Sequence, residues 1–149
     1  MTIQFEIYDE VFLAKSWTWL NNKRIRELTM TPEFSMEDQK KWDNSIKIKN
    51  DYMIWGIKCD NVPIGVCGLK NIKKKEGEYW GYIGEQSYWG NGIGSQMMRM
   101  IIDKSKELHL IRVYLKVLDT NLRAIKLYEK FNFSITSIQT NIVTMTLNL

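Results

Sequence analysis

Between Glu78 and His109 the chain changes its hydrophobic period, and that change constrains the fold more than any other stretch. Tyr79, Trp80, Gly81, Tyr82 and Ile83 are dominated by aromatic and β-branched side chains, which predicts a strand. Gly84 to Asn91 predict a turn. From Gly92 the apolar residues recur at helical spacing, through Ile93, Met97, Met98, Ile101, Ile102 and Leu108. The product is strand, Gly-rich turn, helix, with Gly90, Gly92 and Gly94 at the helix mouth.

This arrangement has a chemical use. Glycines let backbone approach a ligand closely, and the first helical turn leaves about four N–H groups without internal partners. Those donors, with a dipole of roughly half a positive charge, form an anion site. The same glycines also serve a tight turn and close helix packing. No Gly-Lys-Ser/Thr follows, which argues against a nucleoside triphosphate loop. The glycines do not close an early βαβ unit with an acidic residue on the next strand, which argues against a dinucleotide site.

A length of 149 residues points to one domain, residues 1–149, able to bury roughly two-thirds of its extended surface. The net charge of +4 favours anionic ligands modestly. The Lys73, Lys74, Lys75 run reads as a solvated turn, so no nucleic-acid partner is expected. Cys59 and Cys67 stand alone, without clustered Cys or His zinc ligands, so no metal is expected. With no secretory leader in view, the expectation is a reduced, cytoplasmic setting. No apolar run approaches the ~20 residues that span a bilayer, so no membrane partner is expected.

In chain order, Ile3 to Tyr8 predict a strand. Ser16 is a candidate cap for a short helix holding Trp17, Trp19 and Leu20, and Asn21 or Asn22 restarts a helix through Ile25 and Leu28. These aromatics either close a core or wall a cleft; Arg24 and Arg26 are either solvated or read an anionic acceptor. Ser35 and Asp38 suggest a capping box before a helix through Trp42 and Ile46. Asp51 to Lys58 and Pro63 to Leu69 predict a hairpin turning at Asp60-Asn61. Ile111 to Leu118 predict a strand, Asn121 to Phe131 a helix, and Ser134 to Leu147 one or two strands about Gln139-Thr140-Asn141. Strands interrupted by helices imply a single α/β or α+β fold.

Tyr88-Trp89-Gly90-Asn91-Gly92-Ile93-Gly94, after its strand, resembles the acetyl-CoA pyrophosphate loop of the GCN5-related N-acetyltransferase (GNAT) superfamily. The segment from Asn121 through Tyr128 to Phe133 resembles that superfamily's second signature. The resemblance implies a mixed, twisted, mostly antiparallel sheet with helices on both faces and splayed central strands. It implies acetyl-CoA as co-substrate. Pantetheine would pair with backbone near Ile83, Gly84 and Glu85. Trp89, Gly90, Asn91, Gly92, Ile93, Gly94 and Ser95 would cradle the pyrophosphate, and Asn121 would touch the coenzyme arm. Trp89 stands where the family often has Arg or Gln.

By the same resemblance Tyr128 is the candidate acid for the departing thiolate, although on residues alone a Tyr on the apolar face of a helix is more often a core residue. Glu78 and Glu85 are candidate bases, with Asp119 a third. His109, at the far end of the helix, reads as a terminal residue. Lys116 occupies a position where relatives that modify protein N-termini can carry Glu, which weighs against peptide acceptors. The implied activity is acetyl transfer to a small-molecule amine, with an amino sugar or nucleotide-linked amino sugar favoured, by a monomer or homodimer. A ribosomal-protein or peptide N-terminal acetyltransferase and a non-catalytic acyl-CoA-binding protein are the alternatives.

Overall fold

The computed structural model describes residues 1–149, and all seven strands join one sheet. In chain order the elements are β1 (Ile3–Ile7), α1 (Glu10–Leu20), α2 (Lys23–Thr29), α3 (Met36–Lys47), β2 (Met53–Cys59), β3 (Val62–Lys73) and β4 (Glu76–Ile83). Then come α4 (Ile93–Glu107), β5 (Arg112–Leu118), α5 (Leu122–Lys130), β6 (Ser134–Gln139) and β7 (Ile142–Asn148). Strand order is β1-β2-β3-β4-β5-β7-β6. Every neighbouring pair is antiparallel except β4 with β5.

That parallel pair is short. It holds only from Glu76 opposite Arg112 to Glu78 opposite Tyr114, after which the two strands part. Tyr79–Ile83 keep β3 as their partner on one side and leave an edge open on the other. A strand bonded on one side only has alternate N–H and C=O groups facing outward. The expected splay of the central strands is therefore present, and it starts at Glu78.

Period-two alternation on β4 sends successive side chains to opposite faces. Tyr79 joins the main core with Ile93, Met97, Met98 and Ile101 of α4, while Trp80 and Tyr82 join Phe12, Trp19 and Ile25 on the side of α1 and α2. Helices thus cover both faces, as expected. The hairpin at Asp60-Asn61 turns with both residues at positive φ, 50° and 66°, the backbone a two-residue type I′ turn demands. Lys74 and Lys75 turn the next hairpin in the same way, at 51° and 61°.

Two expectations change. The cap of the first helix is Asp9, whose carboxylate accepts from the amides of Val11 and Phe12, and not Ser16. Ser16 lies in mid-helix on the buried face, its hydroxyl donating to Phe12 O at 2.7 Å. A polar side chain in that stripe hid the i, i+4, i+7 spacing of Phe12, Ser16 and Trp19. The strand expected over Pro63 to Leu69 also runs longer, to Lys73, through a bulge that sets Asn71 and Ile72 opposite Gly77. Cys59 and Cys67 are buried, unpaired core residues. No helix is long and apolar enough to cross a membrane.

Candidate active site

The parting of β4 from β5 opens a cleft of about 1250 Å³ that passes from the α4 and α5 side to the α1–α3 side. At one end lies the N-terminus of α4. The other four helices each carry a side-chain cap, from Asp9, Asn22, Ser35 and Asn121, but α4 begins at Gly92 with none. The amides of Ile93, Gly94 and Ser95 donate to nothing within the chain. Orphan donors at a positive helix end suit an anionic oxygen group.

The three glycines here do different things. Gly90 and Gly92 have φ of +84° and +76°, which disfavours side chains. Gly94 has helical backbone, and a Cβ there would lie 3.0 Å from Leu127 Cδ2, so it sets how closely α4 approaches α5. The tight turn read from the sequence thus falls to Gly90 and Gly92 and the close helix packing to Gly94.

Of the residues singled out in the sequence, Glu78, Ile83, Trp89, Gly90, Gly92, Ile93, Gly94, Ser95, Asn121 and Tyr128 line the cleft; Gly84, Glu85 and Asn91 do not. The Gly84 and Glu85 amides both donate to Ile64 O, at 2.7 and 3.2 Å. The Ile83 carbonyl accepts from Trp89 Nε1 at 2.8 Å. These groups close the turn onto β3 and β4, and the open backbone edge lies one step back, within Tyr79–Ile83. Glu85 accepts from Trp19 Nε1 at 2.9 Å, and a Cβ on Gly84 would fall 2.1 Å from the Trp19 ring. That pairing of residues 66 apart had no sequence signal.

Tyr128 is half-buried where α5 meets β4, packed edge-on to Tyr79 (6.4 Å between centroids) and tilted against Phe133 (5.9 Å). Burial pushes its phenol up to about 12. The turn after it fixes its place: Phe133 N donates to Tyr128 O across Asn132, which takes φ +70°. Asn121 caps α5 through Oδ1 to the Ala124 amide. Asp119 does not line the cleft, and His109 lies exposed past the C-terminus of α4 at φ +60°.

Glu78 sits at the fork itself, 7% exposed. The β3 bulge turns Asn71 to φ +53°, and its amide donates to Glu78 Oε1 at 3.1 Å while Lys70 Nζ stands 3.8 Å from Oε2. Beyond it the cleft has an aromatic wall. Tyr8 meets Trp42 edge-on, Trp42 meets Tyr52 likewise, and Tyr52 tilts onto Trp80, each at 6.2 to 6.5 Å. Burial raises Tyr52 and Tyr82 well above the usual phenol range and Tyr8 to about 12, so these stay neutral. Sequence reasoning missed this wall, since Tyr8 and Tyr52 flank different strands and are joined only through Trp42 of α3. Arg24 lies 5.8 Å over the Trp89 ring. Arg26 instead ties α2 to α1, donating to Leu20 O and Asn21 O.

A family model described as the acetyltransferase (GNAT) family matches residues 17–133. The chain belongs to the GNAT family. Its match to a spermine/spermidine N(1)-acetyltransferase of Bacillus subtilis is 34% identical over 62 residues, 40% of this chain and 41% of that protein. The chain thus spans under half the length of this curated relative. Over the whole fold it superimposes on a domain from Methanocaldococcus jannaschii with TM-score 0.88, at 21% identity and 99% of both chains. The Vibrio cholerae spermidine N-acetyltransferase, solved with CoA and spermine, gives 0.88 at 19% identity over 98% of this GNAT chain and 95% of the other.

Proposed function

We propose that this chain transfers the acetyl group of acetyl-CoA to a primary amine of a small molecule. The observation that carries this is the fork at Glu78, where one passage joins the uncapped α4 N-terminus to a separate half-cleft on the opposite face. Two substrates can meet there across the open β4 edge. The pyrophosphate takes the amides of Ile93 to Ser95, and pantetheine follows β4 toward Tyr128.

Transfer is direct. Cys59 and Cys67 do not line the cleft, so neither offers a thiol for an acetyl-enzyme. The amine attacks the thioester carbon, forming an N–C bond; the C–S bond then breaks and the electron pair leaves on sulfur. An outward N–H of the β4 edge stabilises the oxyanion. The proton lost by the amine passes through water to Glu78, and the thiolate takes one from Tyr128. The Glu78 carboxylate is pre-aimed by Asn71 and Lys70. Glu85, bonded to Trp19, is left with a positioning part.

Among amines, the sequence resemblance favours amino sugars, and the aromatic wall offers them ring faces. Polyamines enter the comparison through the relatives. The test is acceptor-dependent thiol release over both classes, with the acetylated product identified by mass. Acetyl-CoA binding without acceptor-dependent release across a broad amine panel would remove the transferase reading and leave a binding protein.

A further inference from the structure

Lys116 stands at the reacting end of the cleft and has no acidic partner. The last paired rung joins Glu78 to Tyr114, so two residues further along Lys116 is level with Trp80 across the opening. Val113, Leu115 and Val117 point into the core, which turns Lys116 to the acceptor face with Glu78 and Trp80. It is exposed, lines the cleft and makes no ion pair, and Arg24 likewise lines the cleft unpaired.

The carboxylates of the cleft are already engaged. Glu78 holds Asn71 and Lys70, and Asp38 closes the capping box of α3 on Ser35 N at 3.0 Å. A polyamine needs carboxylates for its non-reacting ammonium groups, and this half-cleft offers it unpaired cations. An amine that also carries an oxyanion meets the opposite situation, with attraction in a site walled by low-dielectric aromatic rings.

We infer that the acceptor is an amine bearing an anionic oxygen group, phosphate or carboxylate, and that Lys116 is the residue that selects it. The inference rests on the acetyltransferase reading above. Lys116 also lowers the charge an incoming ammonium can keep, since a neighbouring cation favours the free amine that attacks.

The test compares glucosamine, glucosamine 6-phosphate, the 6-carboxylate analogue of glucosamine, and spermidine, measuring kcat/KM by thiol release with product mass. The first three share an amine and a ring and differ in charge, and the phosphate and carboxylate arms separate the two oxyanions. The wild-type protein should favour an anionic sugar over glucosamine and over spermidine by about tenfold, a difference of about 1.4 kcal/mol. Lys116→Gln should shrink that ratio, and Lys116→Glu should reverse it with spermidine gaining. Equal or better use of glucosamine or spermidine by the wild type, or an unchanged ranking in Lys116→Glu, overturns the inference while the transferase reading stands. Transfer to none of the four by protein that binds acetyl-CoA overturns the inference, and the broad amine panel then decides the transferase reading separately.

Discussion

Gly92 offers the sharpest test of where the coenzyme binds, through a pair of substitutions that differ only in charge. Its φ of +76° strains any side chain, yet a Cβ there meets nothing within 4 Å, so neither Asp nor Asn is blocked by the fold. Both tolerate left-handed backbone better than other residues, at a shared cost of about 1 kcal/mol. The difference between them is one negative charge at the mouth of α4. Against a pyrophosphate charge ~5 Å away, Coulomb's law gives about 1 kcal/mol at the dielectric of water and about 3 kcal/mol at an effective value of 20. At about 1.4 kcal/mol per decade, Gly92→Asp should bind acetyl-CoA about fivefold to 200-fold more weakly than Gly92→Asn. Calorimetry on both folded variants, at low and high salt, measures the gap, which should narrow as salt rises. Equal affinity of the two variants would mean that the anion does not sit at this helix end.

Tyr128→Phe keeps the ring packed on Tyr79 and Phe133 but removes the proton, so single-turnover acetyl transfer should fall tenfold or more with acetyl-CoA affinity retained. Wild-type rates in that variant, with product release excluded as limiting, would free Tyr128 of the role. Because burial lifts its pKa to about 12, the neutral phenol is the form the fold favours. Its stabilising contribution is complete below the ordinary phenol value near 10 and is lost as pH rises through about 12. The pH–rate profile should therefore rise with amine deprotonation and show no alkaline fall assignable to Tyr128 below pH ~10.5; a fall near pH 8 that vanishes in Tyr128→Phe would contradict this. Gly84→Ala must displace the Trp19 ring, held by Glu85, and should cost about 1–3 kcal/mol, seen as a Tm lower by roughly 2–10 °C; an unchanged Tm would show that Trp19 yields freely.

The elements were legible wherever one local signal dominated. The Ser35 capping box, the Asp60-Asn61 turn and the strand-turn-helix at Glu78 each obey rules that act over a few residues, and each is present. The order of the two signatures was enough for the family. What escaped was long-range pairing. Nothing near Glu85 points to Trp19, and nothing near Asn71 points to Glu78, because the first bond depends on how α1 lies on β4 and the second on an unmarked bulge. Ser16 misled for a related reason, since its buried bond to Phe12 O is made only once the helix exists.

The sheet is covered unevenly on its acceptor face. Helices α1 to α3 pack over β2 to β4, while β6 is exposed along its whole length and Lys116, Thr144 and Thr146 on β5 and β7 remain at least partly open. On the opposite face, toward α4 and α5, the same strands send Val113, Leu115, Val143 and Met145 into the core. On β5 and β7 the inward set therefore carries the packing, and on the function proposed above the open alternate set, Lys116 among it, is what an acceptor would meet. Under that proposal a lineage carrying this sheet could exchange the open positions of β5 and β7 at little cost to the core, so acceptor range would drift while the inward positions stay constant.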